Sequence, residues 1–92
     1  MGVTAARKAR TIAENVETVL AIEYMCAAQA HEFHVDLRAG EGAHAAYELL
    51  RTRVPALESD RVLQPDIEAA RELIVSGELV AAVEAATGPL FD

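Results

Sequence analysis

The feature that most constrains this chain is a long segment, from residue 4 to about residue 33, that contains neither proline nor glycine. These are the two residues that most often interrupt a helix. Apolar residues recur through the segment at helical spacing, namely at Ile12, Val16, Val19, Leu20, Cys26, Ala27, Ala30 and Phe33. The segment therefore predicts a single long helix, with Thr4 as its N-cap.

Such a helix is longer than the body that should bury it. About thirty helical residues span about 45 Å, whereas a compact chain of 92 residues has a diameter on the order of 30 Å. Between residues 19 and 30 the helix is apolar almost all round, which is typical of a helix surrounded by protein. We therefore expect it to pack against copies of itself or against another chain.

The rest of the sequence predicts three shorter helices. The second covers residues 43–53 and ends before Pro55, and its buried stripe is Ala43, Ala46, Tyr47, Leu50 and Val54. A connector over residues 54–64 leads to a third helix that Pro65 opens at a first-turn position.

The buried stripe of the third helix is Ile67, Ala70 and Ile74, and Gly77 caps its end. A fourth helix runs from residue 78 to about residue 86. The sequence thus predicts one all-α domain over residues 1–92, with one long helix (about 4–33) and three shorter helices, packing as part of a helical bundle in an oligomer.

Composition and charge exclude several classes of partner. The net charge is −7, with 15 Asp and Glu against 8 Lys and Arg, so the basic stripe that nucleic acid requires is missing. No apolar run reaches the roughly 18–20 residues of a membrane span, and no signal peptide is visible. Cys26 is the single cysteine, which excludes an internal disulfide. We expect a cytoplasmic protein.

The sequence offers no clear catalytic or metal-binding set. His31 and His34 are three residues apart, whereas a zinc helix needs histidines four apart and a third ligand. We interpret them as solvated histidines near a helix C-terminus. Cys26 lies in an apolar run, where we expect it to be buried as a small hydrophobic residue. We predict no catalytic, cofactor-binding or metal-binding residue.

Five polar residues are instead candidates for structural or interface contacts: Glu14, Asn15, Glu23, Gln29 and Arg61. An acid such as Glu23, within an apolar stretch, must be paired, hydrogen-bonded or protonated. A contact with a neighbouring chain and a general acid/base role both meet this need, and we favour the contact. Arg61, together with Arg51, Arg53 and Asp60, is expected to fix the proline connector by charge-assisted hydrogen bonds.

Three stretches of the sequence carry a resemblance to a known family. They are residues 14–23 followed by Ala27, Ala28, Gln29 and Ala30; Val54 and Pro55 with Asp60 and Arg61; and residues 65–70 followed by Gly77. In this order and spacing they resemble the late core helix, the connector and the last helical segment of the histidine and aromatic amino-acid ammonia-lyases. An apparent insertion, His31 to His34 before residues 35–38, departs from that pattern.

The resemblance implies a C-terminal segment of a tetrameric enzyme built around long helices. Enzymes of that family use a methylidene-imidazolone electrophile formed from an Ala-Ser-Gly tripeptide, which this sequence lacks. The resemblance therefore implies that a partner lyase chain, or a preceding N-terminal part, carries that group and the catalytic residues. We expect a noncatalytic subunit or segment that completes the helical core. The alternative is a self-associating helical interaction module without a lyase role.

Overall fold

The structure is a computed structural model that describes residues 2–34 and 40–90. Four helices follow one another along the chain: α1 (Gly2–Phe33), α2 (Glu41–Arg51), α3 (Gln64–Val75) and α4 (Glu78–Thr87). No strand occurs in these residues. The prediction of an all-α fold with one long and three short helices is therefore confirmed. Residues 35–39, which belong to the predicted break and the apparent insertion, lie outside the described residues.

α1 extends through the whole predicted segment and begins slightly earlier. Its first residue is Gly2, so the prediction of Thr4 as N-cap is wrong. Thr4 lies inside the first turn, because the alanine-rich sequence around it favours helix and allows two more residues to join. The C-terminal end at Phe33 is as predicted.

The shorter helices differ from the predictions by one or two residues at their ends. α2 begins at Glu41 because Gly40 is extended (φ −64°, ψ 161°) and places an acidic residue in the first turn, where the helix dipole stabilises it. The helix ends at Arg51, but the Val54 N–H still donates to the Leu50 carbonyl at 2.8 Å. Pro65 lies in the first turn of α3, as predicted.

Gly77 is the single residue between the C-cap of α3 and the first residue of α4. It adopts a left-handed conformation (φ 86°) directly after Ser76, the C-cap of α3, and it is also the N-cap of α4. Its N–H donates to the Ile74 carbonyl at 3.2 Å, and its carbonyl accepts from the Ala81 N–H at 2.9 Å. Glycine adopts this conformation without steric cost, so the chain turns sharply here.

The core is small and is built mainly by α1 packing on α3 and by α2 packing on α4. Its buried members are Ala21, Ala28, Leu50, Val54, Ala70 and Leu73. The radius of gyration is 15.3 Å, larger than the ~12 Å of a compact chain of this length. The molecule measures 54 × 40 × 18 Å, so it is a flat, elongated layer rather than a sphere. Among the described residues, no helix is long and apolar enough to cross a membrane.

Candidate helix-packing interface

The two opposite faces of α1 have different surroundings. Only Ala21 and Ala28 are buried in the core, and these residues lie seven apart, on one face of the helix. They share one buried cluster with residues of α2, the connector and α3, and their small side chains allow close packing. Residues 2–16 are exposed throughout, so the first half of α1 projects beyond the core. The long helix is therefore covered on one face and over one half only.

The opposite face carries a regular repeat. Starting at Gly2, the residues follow one another at alternating spacings of three and four, which is the spacing of a helix-packing seam. This outer seam consists of Gly2, Ala5, Ala9, Ile12, Val16, Val19, Glu23, Cys26, Ala30 and Phe33. All ten residues are exposed. The helical spacing of the apolar residues predicted the helix, whereas this repeat was not predicted, although the alternation of three and four was the signal.

The outer seam is apolar and broad. Ile12, Val19 and Phe33 are 63%, 53% and 76% exposed, which is unusual for such large apolar residues on one stripe. Leu20 and Ile22, which flank the seam, are exposed as well. Apolar residues beside the central stripe widen the contact surface beyond that of a narrow two-helix seam. The geometry therefore suits packing against further helices.

Glu23 is the one charged residue of the outer seam. It is exposed, and among the described residues it has neither an ion pair nor a hydrogen bond. The expected need for a partner therefore does not arise within this chain, because water solvates the carboxylate. Glu14 pairs with Arg10 at 3.2 Å on the helix surface, and Asn15 is exposed. Neither of these two contacts another helix here.

Cys26 also lies in the outer seam, and its exposure corrects the prediction that it is buried. The thiol belongs to the free face of α1 and not to the core. The apolar run around residue 26 suggested burial, but a single chain covers only the opposite side of this run. The prediction therefore failed because it assigned the whole circumference of the helix to one core.

A polar cluster fixes the end of α1 against α2. The Tyr47 hydroxyl donates to Glu32 Oε1, and Arg51 Nε donates to the same oxygen at 3.0 Å. The Tyr47 hydrogen bond, followed by that of Arg51, lowers the pKa of Glu32, and the bond to Glu32 raises the pKa of Tyr47. Arg51 also lies over the Tyr47 ring, 5.2 Å from its centroid. This arrangement favours the charged form of Glu32 and joins the two helices.

Tyr24 makes a second link between these helices. Its hydroxyl donates to the Ala46 carbonyl at 2.5 Å. Burial is the main cause that raises the pKa of Tyr24 to about 12, because a phenolate is poorly solvated there. The group therefore acts as a neutral donor at neutral pH.

Gln29 holds the connector on α1. Its Nε2 donates to the Leu57 carbonyl at 3.1 Å, and its Oε1 accepts from the Leu57 N–H at 3.0 Å. Both backbone groups of one connector residue are thus satisfied by one side chain. Such pairing replaces the hydrogen bonds that an irregular segment lacks.

Arginine side chains organise the rest of the connector. Arg61 donates to the carbonyls of Pro55 and Ala56 at 2.6 and 3.1 Å and to Asp66 at 2.8 Å. Arg51 Nη1 donates to the Val54 carbonyl at 3.1 Å. By contrast, Arg53 pairs with Glu72 on α3. The expected charge-assisted bonds of Arg51 and Arg61 are therefore present, whereas Arg53 links two elements.

The histidines do not form a metal site in the described part of the chain. His31 lies against the Tyr47 ring with centroids 4.4 Å apart, and it is half-buried rather than solvated as expected. His34 is exposed, and His44 pairs with Glu48 within α2. No group of three or more His, Cys, Asp or Glu side chains within residues 2–34 and 40–90 could hold a metal ion.

Comparison with known proteins gives consistent results. The family described as "Aromatic amino acid lyase" matches residues 1–52, which include all of α1 and α2. The chain is 60% identical over 90 residues to the histidine ammonia-lyase of Symbiobacterium thermophilum, covering 98% of this chain. It is 52% identical to the histidine ammonia-lyases of Gloeobacter violaceus and Myxococcus xanthus, over 98% and 95% of this chain.

These matches cover nearly all of this chain but only a small part of each relative. The aligned region covers only 18%, 18% and 17% of those three proteins. The chain therefore spans less than a fifth of the length of the curated relatives it matches. No solved structure matches the chain.

Proposed function

Because this chain belongs to the aromatic amino acid lyase family, we propose that it is the noncatalytic C-terminal part of a histidine-ammonia-lyase-like assembly. Its role is to complete the helical core around which a catalytic partner chain is built. The observation that carries this proposal is the outer seam, an exposed apolar stripe that runs the full length of α1. Exposed apolar surface of this kind marks a site where another surface packs.

The residues of this chain indicate which role it has in the proposed assembly and which role its partner has. The family's electrophile forms from an Ala-Ser-Gly tripeptide, and the sequence contains none, so these residues cannot form the group. The polar residues of the described part hold α1 to α2 and to the connector. We assign the electrophile and the substrate-binding residues to the partner. We assign to this chain the role of fixing the shape and rigidity of the helical bundle.

Histidine is the substrate we propose for the assembly, because the relatives named above are histidine ammonia-lyases. The proposal is tested by co-expressing this chain with a lyase chain that carries the Ala-Ser-Gly segment and ends before the region matched here. We expect urocanate formation from histidine only when both chains are present. Equal activity with and without this chain would contradict the proposal.

A matched pair of variants makes that test specific to the outer seam. Val19 in the seam and Val75 at the end of α3 are 53% and 55% exposed. Val19→Lys places an unpaired charge in the covered surface and is expected to abolish complex formation, whereas Val75→Lys leaves it intact. Urocanate formation and co-purification of the two chains are the measurements. Equal loss in both variants would mean that general destabilisation, not the seam, is responsible.

The second candidate is a self-associating helical interaction module, and the breadth of the outer seam favours it too. Light scattering on the purified chain separates the two. A well-folded homo-oligomer that does not bind the catalytic chain supports the module. A chain that aggregates alone and becomes soluble on co-expression supports the lyase role.

A further inference from the structure

We propose that the cavity between α1 and α2 is a binding site for a small planar nitrogen heterocycle of the imidazole type. Its volume is about 230 Å³, which is below the ~300–1,000 Å³ of pockets for drug-sized ligands. It therefore accommodates a single ring. The inference does not depend on the lyase role, because none of the lining residues belongs to the outer seam.

The cavity exists because two tyrosines hold the helices apart. Tyr24 of α1 donates to the Ala46 carbonyl of α2 at 2.5 Å, and Tyr47 of α2 donates to Glu32 of α1. A tyrosine side chain is long and has few rotatable bonds, so each hydrogen bond fixes the spacing of the two helices. Closing the gap would break both bonds, and a buried hydroxyl needs a partner. The cavity is therefore preformed.

Between the two tyrosines, alanines form the walls. Ala27 and Ala28 line the cavity from α1, and Ala43 and Ala46 line it from α2. Their methyl groups leave the space between the helices unfilled. The atoms that line such a space lack van der Waals partners on one side. A ligand with an apolar body would supply these contacts without displacing either helix.

Three rings in the lining select a flat ligand. Tyr24, Tyr47 and His31 all line the cavity, and His31 lies against Tyr47 with ring centroids 4.4 Å apart. Aromatic rings prefer offset-stacked or edge-to-face contacts with other aromatic rings. A flat aromatic molecule makes such contacts, whereas a branched aliphatic molecule of the same size does not.

His31 supplies the polar contact of the site. The hydroxyls of Tyr24 and Tyr47 are already engaged, whereas the His31 side chain makes no hydrogen bond within residues 2–34 and 40–90. A neutral imidazole offers one donor and one acceptor nitrogen. A ligand ring with its own N–H or acceptor nitrogen can pair with it. This contact favours a nitrogen heterocycle over a hydrocarbon ring.

The two tyrosines make the site directly observable by NMR. The chain contains no tryptophan, and its only tyrosines are Tyr24 and Tyr47, so the tyrosine ring signals report on this cavity. We expect imidazole at pH 8, where the free ring is mostly neutral, to shift both sets of signals saturably. tert-Butanol has the same number of heavy atoms but is not flat, and we expect no saturable shift from it. Absence of a saturable shift with imidazole, or an equal one with tert-butanol, overturns the proposal.

Matched variants locate the binding. Ala27→Leu and Ala43→Leu fill the cavity from either helix and are expected to weaken imidazole binding by about tenfold or more. Ala13→Leu, an exposed position on the same helix, is the control and should bind as wild type does. His31→Phe keeps a flat wall but removes the hydrogen bond, so we expect a loss of about threefold to tenfold. Unchanged binding in both cavity-filling variants overturns the location, and unchanged binding in His31→Phe overturns the polar contact.

The other source of such a ring is an aromatic side chain of the catalytic chain. Loss of imidazole binding when that chain is added would assign the cavity to this side chain and overturn the proposal of a free ligand. The outcomes are separable from those of the proposed function. Urocanate formation that depends on this chain, without imidazole binding, rejects the present inference alone. Imidazole binding by a chain that does not support urocanate formation rejects the proposed function alone.

Discussion

The two faces of α1 use similar residues for different purposes. The inner face places Ala21 and Ala28 in the core, where small side chains let the neighbouring elements approach. The outer seam carries larger apolar side chains, such as Ile12 and Phe33, that nothing in the described chain covers. Size and hydrophobicity therefore do not indicate which face is buried. The inner face is defined by what packs on it, and the outer seam by the regularity of its repeat.

The largest expected difference in the free energy of unfolding is between a variant in the core beneath the inner face and a variant beside the outer seam. Leu73 is 1% exposed in the same cluster as Ala21. Leu73→Ala is expected to lower the free energy of unfolding by about 2–5 kcal/mol, because it removes buried contacts and leaves a cavity. Leu20→Ala, at an exposed leucine beside the outer seam, is the control. Urea unfolding in dilute solution measures both, and equal losses would erase the distinction between the two faces.

Replacing an alanine with a larger residue should also distinguish the two faces of α1. Ala21→Leu overfills the core and is expected to cost about 1–3 kcal/mol. Ala30→Leu adds the same atoms to the outer seam, so we expect no loss in chain stability and stronger association. Thermal unfolding and sedimentation are the measurements. If Ala21→Leu were tolerated as well as Ala30→Leu, the close approach at the inner face would not matter for stability.

Removing the Gln29 side chain tests the hydrogen bonds that hold the connector on α1. Gln29→Ala leaves both backbone groups of Leu57 without partners and is expected to cost about 1–3 kcal/mol. Gln64→Ala is the matched control, since the Gln64 side chain bonds only to Glu68 on an exposed helix turn. Hydrogen exchange of the Leu57 amide should accelerate in the first variant and not in the second. Unchanged protection of the Leu57 amide would show that the Gln29 hydrogen bonds contribute little to stability.

The smallest expected effect is a pH dependence at the end of α1. Hydrogen bonds from Tyr47 and Arg51 lower the pKa of Glu32 below its ordinary value of 4.5. Its contribution to stability is therefore complete above pH 4.5 and is lost as the pH falls through the lowered pKa. The stability difference between wild type and Glu32→Gln should shrink below pH 4.5. Glu58→Gln, at an exposed connector residue, should show no such change.

The fold could be predicted from the sequence because its signals are local. The absence of proline and glycine through residues 4–33 indicated α1, Pro65 indicated the start of α3, and Gly77 indicated its end. The failed details lie at helix ends, such as Thr4, where adjacent positions differ little in free energy. Proline, glycine and helix propensity act within a segment, so these signals can be found without the tertiary arrangement.

The outer seam was harder to predict, because burial is not a local property. Cys26 and Glu23 were interpreted from the apolar residues around them, without knowledge of which side the core would cover. The core covers one side only, and both residues lie on the other. The Gln29–Leu57 contact joins residues far apart in sequence, and the Tyr47–Glu32–Arg51 cluster joins two helices. Contacts of this kind depend on the tertiary arrangement.

The long-range pairing of α1 with α3 has a consequence during synthesis. Arg71 contacts Glu17 across 54 residues of sequence, so α1 leaves the ribosome well before α3 exists to cover its inner face. Loop closure over such a distance slows folding, and at roughly 5–20 residues per second the delay lasts seconds. During that interval both faces of the nascent helix are open to chaperones and to other nascent chains on the same polysome. A partner that covers the outer seam can therefore meet α1 before the chain's own C-terminal helices cover the inner face.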